Sequence, residues 1–315
     1  MRKTCLVTGG AGNLACQLSW RLADQFDKLV LVDLADQPVA AIAPSAVYER
    51  SDLLDESAMS ALLRQYNPQA IVHLASLLSG RCEQDRRQGW LVNCDGFLGL
   101  MEQAVIARVE TVLFPSSLAA YGGRLVDPLP EDAPQWPDGL YGVTKLTCER
   151  LGAYYQRRHG LIFRCLRLPI VVSPFAPAGA ASAYASRAFI EAVEKGRFTF
   201  RVRPETRTSL MYVEDALDAL LRLLIAPAQQ LKYPVYNIQA ISATAQEIAD
   251  CIAARLPNAR LTFDPDPEIA ALIESWPRCV IDDSARNDWR WQPRYDLDRL
   301  ADHFLEKLLS RGAVS

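Results

Sequence analysis

The stretch Thr4-Cys5-Leu6-Val7-Thr8-Gly9-Gly10-Ala11-Gly12-Asn13-Leu14-Ala15 constrains the fold more than any other. A short apolar run that breaks into glycines and resumes with helical spacing reads as a strand, a tight turn and a helix. Gly9 permits the turn, and Gly12 lets the backbone approach a pyrophosphate. The helix opening at Asn13 and Leu14 presents unpaired N–H groups and a positive dipole end to phosphates. Ala15 takes the third small position, where helix meets strand. A plain tight turn uses the same glycines, so the next strand decides. Leu29-Val30-Leu31-Val32-Asp33 ends in an acid. A carboxylate there bonds ribose hydroxyls and repels a 2′-phosphate, and Leu34-Ala35 supplies no arginine to receive one. The expected cofactor is NAD. Asp52-Leu53, after the following apolar stretch, suits an adenine contact or a helix cap.

The alternation continues. Helices are expected over Leu14 to Phe26, Ser57 to Tyr66, Trp90 to Ala107 and Tyr141 to His159. Strands are expected over Ala70 to Leu74, Thr111 to Phe114 and Phe163 to Leu168. Near-continuous apolar strands between helices imply an α/β fold with a doubly wound parallel sheet covered on both faces. After about residue 169 the pattern loosens into a loop rich in proline and small residues from Pro174 to Ser182. Helices follow over Ala183 to Lys195, Asp215 to Ile225 and Ala245 to Arg255, and a proline-rich link runs from Pro257 to Pro267. The expected division is a nucleotide-binding domain over 1–169 and mainly a smaller C-terminal substrate lobe over 170–315, with one or two strands returning to the main sheet.

Composition excludes several function classes. Lys and Arg number 34 against 37 Asp and Glu, a net charge of -3. That balance points to neither nucleic acid nor an anionic membrane as partner. The densest basic cluster, Arg157-Arg158-His159, reads as a solvated helix end. The eight cysteines form no C-x-x-C pair and read as reduced, buried thiols. No histidine or carboxylate cluster suggests a metal. His73 ends a buried strand and reads as a satisfied core histidine. Met1-Arg2-Lys3 leads straight into a strand, and no apolar run is long enough to span a bilayer. A soluble cytoplasmic protein is expected.

Tyr141-Gly142-Val143-Thr144-Lys145 opens a helix, and positions i and i+4 share one face. A tyrosine ionises near pH 10 in water, and a neighbouring ammonium favours its phenolate. Ser117 sits at the end of the fourth expected strand, on the carboxyl edge where ligands bind. It is placed to orient a substrate oxygen against Tyr141. Ser117, Tyr141 and Lys145 are therefore the candidate catalytic set.

Together these residues resemble the extended short-chain dehydrogenase/reductase superfamily. The shared elements are T-G-G-x-G-x-x-A, Asp33, Asp52-Leu53, His73-Leu74-Ala75, Asn93, P-S-S-x-x-x-Y-G at 115–122 and Y-x-x-x-K at 141–145. The resemblance implies a Rossmann domain with a small carboxyl-terminal lobe, and a homodimer through two long helices. Within the superfamily the chain looks most like the short-chain L-threonine 3-dehydrogenases. That likeness rests on His73 to Ser79, Phe114 to Ser117, Met211 to Ala216, Glu274 to Pro277 and Ile281 to Trp289. It implies oxidation of a small 3-hydroxy acid or amino acid. It also implies Leu74, Ala75, Asn93, Leu168 and Pro169 beside the cofactor, and Ser79, Ser117, Tyr141, Ser182 and Trp276 beside the substrate. Ser79 also suits a helix cap and Trp276 core packing. Two departures stand out: Pro169-Ile170 where that family has Pro-Gly, and Gly179-Ala180-Ala181-Ser182-Ala183-Tyr184 where it has glycines followed by Thr-Thr-Asp-Tyr. Two other functions share the cofactor residues. A sugar-nucleotide epimerase or dehydratase needs a cationic clamp, for which Arg201, Arg203 and Arg207 are candidates. A non-catalytic NAD-binding scaffold needs none of Ser117, Tyr141 and Lys145.

Overall fold

Thr4–Thr8 (β1) is buried at every residue, and its side chains alternate between two apolar layers. Cys5 and Val7 enter one layer and Leu6 the other; Leu29, Leu31 and Val30 repeat the alternation on the next strand. A strand apolar on both faces needs cover on both. The computed structural model, which describes residues 3–123, 125–176 and 181–312, has that cover. Pro177, Ala178, Gly179 and Ala180 of the expected loop lie outside the described residues, as do Met1 and Arg2.

The further strands are β2 (Lys28–Asp33), β3 (Ala46–Arg50), β4 (Ala70–His73), β5 (Thr111–Ser117), β6 (Ile162–Leu168), β7 (Ile170–Val172), β8 (Arg197–Phe200), β9 (Arg207–Tyr212), β10 (Val235–Asn237), β11 (Ile241–Thr244) and β12 (Arg260–Phe263). The helices are α1 (Asn13–Leu22), α2 (Glu56–Tyr66), α3 (Ser79–Gln84), α4 (Arg86–Trp90), α5 (Gly96–Ile106), α6 (Leu140–His159), α7 (Tyr184–Lys195), α8 (Val213–Ile225), α9 (Ala245–Arg255), α10 (Pro267–Glu274), α11 (Asp283–Trp289) and α12 (Leu297–Gly312). Seven strands form one all-parallel sheet in the order β10-β6-β5-β4-β1-β2-β3. Ala15, Leu18 and Leu22 of α1 and Leu220 and Leu223 of α8 cover one face. Met59 and Leu63 of α2, Phe97 and Leu100 of α5, and Cys148 and Tyr155 of α6 cover the other. The strand order reverses between β1 and β4, and ligands of such sheets bind outside the carboxyl ends at that switch point.

Beyond β6 the chain builds two smaller sheets. β9 lies between β7, which runs parallel to it, and β11, which runs antiparallel. β8 and β12 form a parallel pair. β10 returns to the main sheet beside β6. Among the described residues no helix is long and apolar enough to cross a membrane, and no group of His, Cys, Asp or Glu is arranged to hold a metal. All eight cysteines are free, seven of them buried.

Three elements differ from expectation. The helix expected over Trp90 to Ala107 is interrupted by a wide π-type turn at Leu91–Asp95. Such turns concentrate at functional positions, and here the turn swings Asn93 towards the backbone of Leu77. The first helix stops at Leu22 rather than Phe26. The link expected over Pro257 to Pro267 contains β12. The edge strand β3 escaped notice because it lacks the buried apolar run that marks its neighbours.

A buried charge pair ties four elements together. Arg167 on β6 donates to Glu149 on α6 through Nε at 2.9 Å and Nη2 at 2.7 Å. Ser116 of β5 donates to the same carboxylate at 2.5 Å, and Arg167 Nη1 reaches Asn237 of β10 at 3.1 Å and Tyr121 Oη at 2.6 Å. Removing one partner of such a pair costs about 3–5 kcal/mol, since the other charge stays buried alone. Arg167→Met is expected to lose stability on that scale. Urea unfolding of the two proteins side by side measures it.

Candidate active site

One cavity of about 660 Å³ opens along the carboxyl edge of the sheet. Its lining includes Gly9, Gly12, Asn13 and Leu14 of the turn after β1, together with Ser79, Ser117, Tyr141, Ser182 and Trp276. Leu74, Lys145, Leu168 and Pro169 also line it. The turn after β1 explains how a ligand reaches the sheet so closely. Gly9 has φ +70°, and a Cβ there would stand 2.6 Å from the Ala75 nitrogen. Gly12 caps α1 without any side chain over its N-terminus, so backbone amides face the cavity. This is the cradle a pyrophosphate requires. Asp33 ends β2 beside it, its carboxylate accepting the amides of Ala11 and Ala35 at 3.1 Å each. The glycine turn therefore fits the phosphates of a dinucleotide, whereas Asp33 stands outside the cavity lining with its carboxylate engaged by two amides.

Ser117 reaches the cavity because β5 runs to its carboxyl end there, and its Oγ accepts the Ala119 amide at 3.1 Å. α6 settles directly on that turn. A Cβ on Gly142 would meet the Ala119 carbonyl at 2.0 Å, so only glycine allows the approach. The approach brings Tyr141 within hydrogen-bonding reach of Ser117. Lys145, one helical turn on, donates to the Pro115 carbonyl at 3.0 Å and lies 4.5 Å from the Phe114 ring centroid. Its nitrogen is 5.5 Å from the Tyr141 ring centroid.

The electrostatics correct one expectation. Burial pushes the Tyr141 phenol up, and the Ser117 hydrogen bond opposes it only in part. Burial also pushes the Lys145 ammonium down. The expected lowering of the tyrosine by Lys145 is not the governing effect. The ammonium is directed at Pro115 and Phe114, and desolvation dominates.

Several expected site residues stand outside the cavity lining. Asp52 is exposed and accepts the Leu54 amide at 2.9 Å in a turn, while the helix that follows is capped by Asp55. Leu53 packs into the α2–α5 layer, and Leu34 is exposed, its carbonyl accepting Arg50 Nε at 3.2 Å. Ala75 backs the glycine turn. Asn93 is buried: its Oδ1 accepts the Leu77 amide at 2.8 Å, and its Nδ2 donates to the Leu77 carbonyl and Thr144. It braces the loop after β4 against α6. Ser79 is the first residue of α3, whose cap is Leu78. Trp276 lines the cavity and also packs on the core. Arg201, Arg203 and Arg207 line nothing in the cavity and are paired with Asp264, Glu274 and Glu247 respectively. Ser76, Leu78, Ser173, Phe175, Thr208 and Ser209 also line the cavity. No local pattern marks them, because they come together only through the fold. The resemblance segments of the tail act as braces: Asp282 accepts from Gln239, Arg286 and Trp291, and Asp288 from Tyr236 and Lys232.

The glycine turn, the switch-point cavity and the Ser-Tyr-Lys set define a nucleotide-dependent doubly wound protein. The model of the NAD dependent epimerase/dehydratase family matches residues 5–238, and the chain belongs to that family. Mitochondrial L-threonine 3-dehydrogenase of Bos taurus is 34% identical over 299 residues, covering 94% of this chain and 80% of the relative. The structure of L-threonine dehydrogenase from Clostridium difficile superposes with a TM-score of 0.93 at 30% identity, covering 99% of each chain. That of L-threonine dehydrogenase from Phytophthora infestans gives 0.91 at 33% identity, covering 98% of this chain and all of the other.

Asp33→Ser is expected to cut kcat/KM for NAD by about tenfold or more while improving use of NADP, since one acceptor and one repulsive charge go together. Paired initial-rate measurements decide it. His73 gives a second test. Its Nδ1 bonds Thr8 Oγ1 at 2.7 Å, its Nε2 has no protein partner, and burial pushes its pKa down to about 3. The histidine is thus half-satisfied and neutral. Between pH 6.5 and 3 the unfolded chain binds the extra proton, so stability falls as pH falls, by up to about 1.4 kcal/mol per unit. His73→Gln is expected to flatten that part of the curve. Denaturation at stepped pH measures the difference.

Proposed function

We propose that this chain oxidises a secondary alcohol with NAD as acceptor, the alcohol being the 3-hydroxyl of L-threonine or of a related small 3-hydroxy (amino) acid. The observation that carries the proposal is the meeting of Ser117, Tyr141 and Lys145 in the cavity that the glycine turn also lines. NAD, when bound, supplies the hydride acceptor and, in its oxidised form, a positively charged ring. Ser117 Oγ holds the substrate oxygen and Tyr141 Oη takes its proton, a transfer that general base catalysis speeds by about 10²–10⁴. Because burial raises Tyr141, its phenolate forms as the substrate proton moves and not beforehand. Lys145 holds the cofactor ribose. Pro169 closes the nicotinamide end. Residues 170–315 supply much of the substrate side, through Ser182 and Trp276.

The extent of the likeness to L-threonine dehydrogenases supports this reading. The pairing of Arg201, Arg203 and Arg207 to acids argues against a nucleotide-sugar substrate, whose diphosphate needs a cationic clamp. We also propose a homodimer through α5 and α6, where Leu98, Ile106 and Tyr154 are exposed apolar residues. The eight free thiols suit a reducing compartment, the cytoplasm in our reading.

Tyr141→Phe is expected to lose about 10²–10⁴ in kcat while keeping wild-type affinity for NAD. NADH formation at 340 nm and fluorescence titration with NAD give the two numbers. Near-normal turnover in that variant removes Tyr141 from the role.

A further inference from the structure

We propose that the site prefers a 3-hydroxy acid with no free ammonium on the neighbouring carbon over a zwitterionic 3-hydroxy amino acid. The proposal rests on the alcohol oxidation above and narrows its substrate. Its ground is the charge of the cavity wall. Among the described lining residues Lys145 is the one charged side chain, and none is Asp or Glu. Acids close in sequence to the lining are engaged elsewhere: Glu214 with Arg21 and Lys307, and Asp215 with the Arg294 and Tyr295 amides. Glu149 receives Arg167 and Ser116, Glu274 receives Arg203 and Thr206, and the exposed Glu83 accepts the Leu140 amide.

An ammonium carries three donors and no acceptor, and its burial needs a countercharge or a full set of acceptors. Several hydroxyls of the wall are already committed. Thr208 is bonded to Tyr184 at 2.9 Å, Ser209 donates to Gln239 at 2.8 Å, and Ser173 accepts Asn13 Nδ2 at 2.8 Å. Leu78, Ile170, Phe175 and Trp276 are apolar parts of the wall. The charges of Lys145 and of an oxidised nicotinamide repel a second cation in this space. The same charges attract a carboxylate, which also accepts bonds from hydroxyls and amides. A monoanion gains from both effects. A zwitterion carries its ammonium one carbon from the reacting hydroxyl, where no carboxylate of the described wall answers it.

Ala183 is the position that sets this preference. It lines the cavity and is the cap residue of α7, with no side-chain bond to the helix amides. A carboxylate there would stand in the cavity wall. In the reaction the C3 alcohol becomes a ketone, one NAD is reduced to NADH, and the hydroxyl proton leaves through Tyr141 to solvent.

The test uses the full chain with saturating NAD and compares L-threonine with (3R)- and (3S)-3-hydroxybutyrate, which lack only its ammonium. We expect one hydroxybutyrate enantiomer to exceed L-threonine at least about tenfold in kcat/KM, and Ala183→Asp to shift the ratio at least about tenfold towards L-threonine, one such factor being about 1.4 kcal/mol. Equal or better use of L-threonine by the unaltered protein overturns this preference and leaves the alcohol oxidation standing. An unmoved ratio in a folded Ala183→Asp protein overturns the role of that position. No NADH from any of the three substrates overturns the preference together with the oxidation beneath it.

Discussion

The Glu149–Arg167 pair joins β5, β6, α6 and β10, four elements that meet beside the cavity. Glu149 lies one turn beyond Lys145 on α6, and Ser116, which bonds it, precedes Ser117 on β5. Arg167 is two residues before Pro169 and reaches β10 through Asn237. A buried pair of this kind adds little net stability over apolar packing, and its best-attested use is to fix a register. Here the register is that of β5, β6 and α6 at their cavity ends. Apolar contacts alone would let these elements slide against one another by small amounts, whereas a bidentate guanidinium–carboxylate contact has one geometry.

Above that pair, burial governs the electrostatics of Tyr141 and Lys145. Both are destabilised in their charged forms by burial. The same low dielectric makes the single charge of the cavity wall count for more. The neighbouring His73 follows the same rule: packed against Phe97 and Phe114, it remains neutral and adds no second cation.

Much of this was legible in the sequence, for a physical reason. A parallel strand buried on both faces must be apolar throughout, so β1, β2, β4, β5 and β6 announce themselves. The glycine turn is legible because φ +70° and the contact with Ala75 tolerate no side chain. Tyr141 and Lys145 are legible because helical spacing alone puts them on one face. Edge strands such as β3 and β12 lack the buried run and were not legible. Nor was the π-type turn at Leu91–Asp95, whose cause is the tertiary bond from Asn93 to Leu77.

By itself the sequence determined the sheet class and the glycine turn, and singled out Asp33, Ser117, Tyr141 and Lys145 as candidates, since each follows from local spacing and steric limits. Tertiary structure alone decided what surrounds them. It turned Asn93 and Asp52 into braces, paired Arg201, Arg203 and Arg207 with acids away from the cavity, and directed Lys145 at Pro115. It also assembled a wall from Ser76, Ser173, Phe175, Thr208 and Ser209, residues that come from separate segments. Burial and partnership depend on the whole chain, and no local window carries them.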